Sequence, residues 1–289
     1  MYDLKIDQKK VLVNTLPKVI EYQEGKLIVA KDTNLKEVVK ITLTDNSYFL
    51  LDVKKNVQIK IIVELDDTQI KMKPSELNFA IGDNSIVEYV LISNLKSQSR
   101  LLQSIMLKAS SNLRMTNILL NQVTNTEVTI SLDESGAETT LNSLIIGNQA
   151  TEQVINLNLL HNATYTSSEM TNVAITTDTA NIKLVGLNQI SQGMKKSSSF
   201  QNLTGINLSN QASISVDPIL VINENDVKAG HAATVGKMDE EALFYLQSRG
   251  LNQKEATKLL VNGKIRPIID KLDDLALEEK ILNMINERL

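Results

Sequence analysis

Two histidines, His161 and His231, and no cysteine are what a chain of 289 residues offers for soft metal or nucleophilic chemistry. Thiolates normally hold the iron of Fe–S clusters and close structural zinc sites, so this chain provides neither arrangement, and it forms no disulfide. An imidazole is still a competent metal ligand. His231 lies in DVKAGHAATVGKMDEEALFYLQSRG, Asp226 to Gly250. There, short apolar runs give way to helical periodicity, and that position makes His231 a candidate ligand or contact residue. The bland alternative is a capped turn with a hydrogen-bonded ring. His161, in LNLLHNATYTSSEM, ends an alternating run and reads as a surface or corner residue. No phosphate-binding loop, dinucleotide fingerprint or nucleophile elbow occurs, and neither histidine has a serine partner in a Gly-flanked turn. The 34 acidic residues leave paired-carboxylate chemistry open until positions are known. Nothing marks an active site, and the chain is expected not to be an enzyme.

The elements that position these residues change type once. Residues 1–24 are mixed and polar and read as a lead-in arm. Residues 25–236 carry short apolar runs: LIVA at 27–30, VVKITL at 38–43, YFLLDV at 48–53, VQIKIIV at 57–63, SIMLKA at 104–109 and NILL at 117–120. From Val128 onward the alternation is sharp, as in Val128, Ile130 and Leu132 or Ile155, Leu157 and Leu159. Period-2 alternation in short runs predicts strands with one buried face. The connectors are built from Asn, Ser, Thr, Asp and Gln, with 11 Gly and 4 Pro in all. Tight hairpins want Asn-Gly or Gly-X pairs, which are scarce, whereas Asn can hold the left-handed corners of a solenoid. Spacing alone fits a β-sandwich or a β-helix, and the turn chemistry favours the β-helix, although no clean repeat is visible.

Residues 237–289 switch to helices. Asp239 is a good N-cap, Glu240 and Glu241 suit the first turn, and Gly250 is a natural stop. Asn252 with Glu255 forms a capping-box pattern for a second helix, which Gly263 should end. Pro267 suits the first turn of another segment. Residues 275–289 form an amphipathic helix with Ile281, Leu282 and Ile285 on one face. Such helices cap an exposed solenoid end or serve as a docking platform.

Composition sets further bounds. Net charge is −4 and the pI about 5.4, which is not the footprint of a nucleic-acid binder. The N-terminus MYDLKIDQKKVLVNTL lacks the layout of a signal peptide, and no apolar run reaches membrane-spanning length, so a cytoplasmic location is expected.

Three runs resemble the SufB/SufD family of SUF-system Fe–S cluster assembly proteins: KKSSSFQNLTGINLS at 195–209, DPILVINENDVKAGHAATVGKMDEEALFYLQSRGL at 217–251, and VNGKIRPIID at 261–270. The resemblance is specific from about Asn181 onward and diffuse before it. It implies a right-handed parallel β-helix core with a small C-terminal α-helical domain. It also implies a SufD-like scaffold subunit that pairs with a SufB-like subunit and docks a SufC-like ABC-type ATPase through the C-terminal helices. On this resemblance His231 lies at the shared interface as a ligand for transient iron or an Fe–S cluster, and Glu241, Phe244, Tyr245 and Arg249 are the ATPase contacts. His161 is implied to have a structural ladder role.

Two departures set this chain apart from the branch that supplies thiolate and carboxylate. Ala229 stands where many relatives carry cysteine, and Gly230 and Ala232 flank the histidine where glutamates flank it in the SufB branch. Longer relatives place a helical domain before the β-helix, whereas strands begin here almost at once. No nucleic-acid or membrane partner is expected, and a homodimer in isolation is compatible with this reading. The alternatives are a purely structural subunit without metal ligation and a carbohydrate-binding β-helix.

Overall fold

Alternating sequences give strands because every second side chain points to the same face of an extended chain. The structure, a computed structural model, describes residues 1–7, 10–44, 48–66 and 74–289. Among the described residues there are nineteen strands. The first seven are β1 (Tyr2–Asp7), β2 (Lys10–Asn14), β3 (Ile20–Gln23), β4 (Lys26–Val29), β5 (Val39–Leu43), β6 (Tyr48–Val53) and β7 (Gln58–Asp66). Then come β8 (Pro74–Ile81), β9 (Ile86–Asn94), β10 (Ser99–Leu107), β11 (Asn112–Leu119), β12 (Val123–Leu132) and β13 (Glu138–Gly147). The last six are β14 (Glu152–His161), β15 (Ser167–Thr176), β16 (Asn181–Ile190), β17 (Ser198–Asn207), β18 (Ser213–Ile222) and β19 (Lys228–Lys237). Three α-helices follow: α1 (Glu240–Ser248), α2 (Gln253–Ile269) and α3 (Leu275–Asn286).

The odd strands from β5 to β19 stack in parallel in one sheet, with β1 and β2 at its far edge; the even strands from β4 to β18 form the other, edged by β3. Successive strands thus alternate between two facing sheets, which is the parallel β-helix anticipated from the turn chemistry. Asn112 pairs with Glu138, Glu138 with Ser167, and Ser167 with Ser198. Equivalent residues are therefore separated by 26, 29 and then 31 positions.

Corners rather than hairpins make these turns. Asp32, Asn56, Asn84, Ser110, Gly136, Tyr165 and Lys196 all have positive φ. The Asp32 N–H donates to Lys55, Asn56 to Asp83, Asn84 to Ala109 and Ser110 to Ser135, each crossing to the next coil. The strain of a left-handed non-glycine residue is thus offset by an inter-coil hydrogen bond at each step. Side chains reinforce the stack, with Asn56 Nδ2 donating to Asp32 Oδ1 at 2.7 Å.

Two apolar layers result. One fills the bore between the sheets from Leu4 to Leu203. Its N-terminal part holds the large rings, including Phe79 and Tyr89 edge to face at 4.6 Å. The other joins the outer face of the odd-numbered sheet to the helices: Ile62, Val90, Ile118, Leu144 and Val173 meet Val261, Ile265, Ile268, Ile281 and Ile285. The helical layer therefore covers the flank of the solenoid, not its end. Polar groups fasten it: Lys280 Nζ reaches Glu64, Arg288 donates to Asn94 Oδ1 at 2.7 Å, and Lys60 donates to the Leu272 carbonyl. Burial raises the Glu64 pKa, but the ammonium groups of Lys280 and Lys40 more than offset this and hold its carboxyl below the ordinary value.

The helix expectations need one correction. Asp239 and Asn252 cap α1 and α2 as read, the latter in a full capping box. However, α2 continues through Gly263 and Pro267 to Ile269. Ile265, Ile268 and Ile269 are buried against the sheet and at the adjoining turn. Their burial outweighs the weak helix propensity of Gly263 and the hydrogen bond that Pro267 cannot donate. The chain leaves the helix immediately afterwards, through a 3-10 turn at Asp270–Leu272.

Candidate functional site

Strands β18 and β19 end their sheets, so each pairs on one side only. They form the last coil, with no further coil stacked on it among the described residues. Their side chains are half-buried or exposed throughout, whereas one coil earlier every second position, on the inward row, is buried. This open mouth is where the structure places His231.

The pairing register states which way His231 faces. Tyr89, Met115, Leu141, Met170, Gln201 and His231 are successive partners across the odd-numbered sheet. The first five are buried in the bore. His231 thus occupies the inward row at the point where the bore opens, and it is exposed because none of the described residues covers that row. Its neighbours Ala229, Gly230 and Ala232 are small, so the ring stands clear of competing side chains. Lys228 is exposed, in keeping with a solvated ammonium. Among the described residues, no cluster of three or more His, Asp or Glu side chains could hold a metal ion. His231 belongs to no such group.

One rung below, Gln201 spans the bore. Its Nε2 donates to the Ile219 carbonyl of β18 at 2.9 Å, tying β17, one rung below the mouth, to the last coil. Room for this comes from Gly186, where an added Cβ would fall 2.7 Å from Gln201 Oε1 and 3.0 Å from Leu203 Cδ1. Neither residue stands out in the sequence; the only signal is the 30-residue offset from Gln201 to His231, which means nothing until the turn length is known. Gly186→Ala should cost about 1–3 kcal/mol by overpacking. Part of that cost should be recovered in a Gly186→Ala, Gln201→Ala double variant, as read by denaturant unfolding. Equal costs in both backgrounds would dissociate Gly186 from the strap.

His161 is not at the surface. It is fully buried, with Nδ1 2.7 Å from Thr166 Oγ1 and Nε2 2.8 Å from Ser168 Oγ. Asn188 Nδ2 donates to Ser199 Oγ at 2.8 Å, and Ser199 lies 2.7 Å from Ser168. The Thr166 hydroxyl donates its one proton to the Ala163 carbonyl at 3.1 Å, so toward the ring it accepts, and Nε2 is left to accept from Ser168. The ring is then the Nδ1–H tautomer, donating to Thr166, in accord with the ladder role implied for it. Burial pushes its pKa down to about 4.

The four anticipated ATPase contacts gather on one helix face. Glu241, Phe244, Tyr245 and Arg249 occupy the i, i+3, i+4 and i+8 positions of a single stripe. Phe244 is 72% and Tyr245 56% exposed, so neither ring is packed within the helical layer. The Arg249 guanidinium sits 5.2 Å from the centre of the Tyr245 ring. Ala242, Leu243 and Leu246, on the opposite face, are half-buried, and no residue of α1 is fully buried. The helix follows β19 after only Met238 and Asp239, so the α1 stripe and His231 are close neighbours in the chain.

Comparison with known proteins bears on this arrangement. A family model described as the SUF system FeS cluster assembly, SufBD core domain, matches residues 38–264. The iron–sulfur cluster assembly protein SufD of Bacillus subtilis (strain 168) is 27% identical over 214 residues, covering 72% of this chain and 48% of that protein. SufD of Escherichia coli (strain K12) is 30% identical over 131 residues, or 45% of this chain and 31% of that protein. A SufBD family protein of Mycobacterium tuberculosis (strain ATCC 25618 / H37Rv) is 34% identical over 114 residues, 39% of this chain and 14% of its own length. The chain thus spans about half the length, or less, of these relatives. No helix among the described residues is long and apolar enough to cross a membrane. The family match runs from β5 into α2 and takes in the bore, the mouth with His231 and the α1 stripe, and on that match the chain belongs to the SufBD core family of Fe–S cluster assembly proteins, in its SufD-like branch.

Proposed function

We propose that this chain is a non-catalytic scaffold subunit of a SufBCD-type complex. It pairs with a SufB-like subunit through the open mouth of the β-helix and docks a SufC-like ATPase on α1. The observation that carries this reading is the coincidence of a bare strand edge with an exposed imidazole on the inward row of the last coil. A partner that pairs with the free edges of β18 and β19 would bury the apolar inner row and bring its own groups next to His231. Iron or a nascent cluster is then cargo shared across the interface, with His231 as the one ligand from this side. ATP hydrolysis belongs to the partner on α1, whose Phe244, Tyr245 and Arg249 have the chemistry of interface anchors.

The test is co-purification of the tagged chain with SufB-like and SufC-like proteins from the same cell. Phe244→Ser with Tyr245→Ser should release the ATPase while leaving the SufB-like subunit bound. His231→Ala should leave the ternary complex intact and lower its iron content. A chain that associates with neither protein would end the scaffold reading.

A second reading keeps the complex but assigns no metal to this chain. It is favoured by the Gly and Ala residues around His231, which provide no second ligand. Unchanged iron loading in the His231→Ala complex would select it.

A further inference from the structure

The bore changes character along its length. In the coils up to Leu95 the inward rows are almost wholly aliphatic and aromatic, whereas further on they take up buried amides and hydroxyls. Most of these are bonded within the protein, like the His161 group. One column is not. Asn117, Ser143 and Asn172 are consecutive register partners on β11, β13 and β15, and all three are fully buried. Asn117 Nδ2, Ser143 Oγ and both polar atoms of the Asn172 side chain lack a hydrogen-bond partner among the described residues.

Hydrogen-bond direction shows why Asn117 leaves a donor free. Tyr89 donates its hydroxyl to Gln103 Oε1 at 3.0 Å, which turns Gln103 Nε2 toward Asn117 Oδ1 at 3.3 Å. Asn117 keeps Nδ2 unused. Stacked asparagines on parallel strands ordinarily bond amide to amide from rung to rung, at the strand separation of about 4.8 Å. Here the middle rung is a serine. Its hydroxyl ends short of where a carboxamide would lie, so neither flanking asparagine reaches it.

We propose that the Ser143 rung binds ordered water inside the β-helix. The ligand chemistry follows from the four free atoms: donors on Asn117 and Asn172, an acceptor on Asn172, and a hydroxyl that serves as either. Water matches such a mixed set, and buried water typically makes about three hydrogen bonds to groups of this kind. A metal cation does not fit, because amide donors would face it.

Oxygen-17 relaxation dispersion on the purified chain reads long-lived buried water directly. In S143N the new carboxamide occupies the space and completes an Asn–Asn–Asn ladder. The dispersion amplitude should fall relative to the parent while the thermal melt stays cooperative. An amplitude equal to that of the parent overturns the proposal. Should S143N fail to fold, high-resolution diffraction from the unsubstituted protein decides. Ordered density within hydrogen-bond distance of Ser143 Oγ supports the site, and a dry rung overturns it.

Discussion

Replacing Ile265 by Ala is expected to destabilise the protein by about 3 kcal/mol, within the range for truncating a buried isoleucine. Ile265→Asp should cost more, because it places an unpaired carboxylate against an apolar sheet. Ile265 is 0% exposed and sits in the layer that joins α2 and α3 to the sheet. The strands beneath show what the helices cover. β13 is buried continuously from Leu141 to Gly147, and β11 from Met115 to Leu119, so both faces of the sheet are shielded there. β12, β14 and β16 of the opposite sheet keep a strict alternation, because their outer face has no helical cover. Losing the helical layer would therefore expose a contiguous strip of Ile, Val and Leu, which favours self-association. Denaturant unfolding of the two variants, with light scattering, is the check. If both lost less than about 1 kcal/mol, the helices would not be integral to the fold.

Acidification should weaken the fold through His161. Its ring has a pKa of about 4 when folded, against 6.5 for a free histidine. Between those values the unfolded chain binds a proton that the folded chain refuses. The contribution to stability is therefore complete above pH 6.5, falls as the pH drops toward 4, and changes no further below that. Over the whole window it amounts to about 3 kcal/mol. Carboxylates titrate in the lower part of the same range, so the informative quantity is the difference between the parent and His161→Gln. Urea unfolding at pH 7 and pH 5 should show the parent losing about 2 kcal/mol more than the variant. Equal losses would mean that the ring accepts a proton in place, for instance by a rearrangement of Ser168 and Thr166.

Much of this architecture was legible before any coordinates. Alternation in VTISL and INLNL marks strands with one buried face, and their register partners Val128–Leu157 and Ile130–Leu159 line the bore. NILL at 117–120 and LIIG at 144–147 are continuous apolar runs, the signature of strands covered on both sides. The scarcity of Asn-Gly and Gly-X pairs pointed to corners, and the left-handed Asn56 and Asn84 are such corners. The repeat itself was hidden because the spacing drifts from 26 to 31 residues as corner lengths change. The end of α2 was misplaced because Gly263 and Pro267 are strong local signals, and only packing on the sheet overrides them.

The sequence by itself determined the chemistry and the type of each element. Without cysteine and with two histidines, soft metal ligation narrows to imidazole, and capping residues and alternation depend on neighbours in the chain. The tertiary structure decided which histidine is available. His161 and His231 both lie on inward rows of strands, yet one ring is sealed in the bore and the other stands at its mouth. What separates them is how many coils stack above each, and stacking depends on contacts between residues roughly thirty positions apart, which no local pattern records. For the same reason, the Gln201 strap over Gly186 and the short Ser143 rung between two asparagines exist only once the coils are in register.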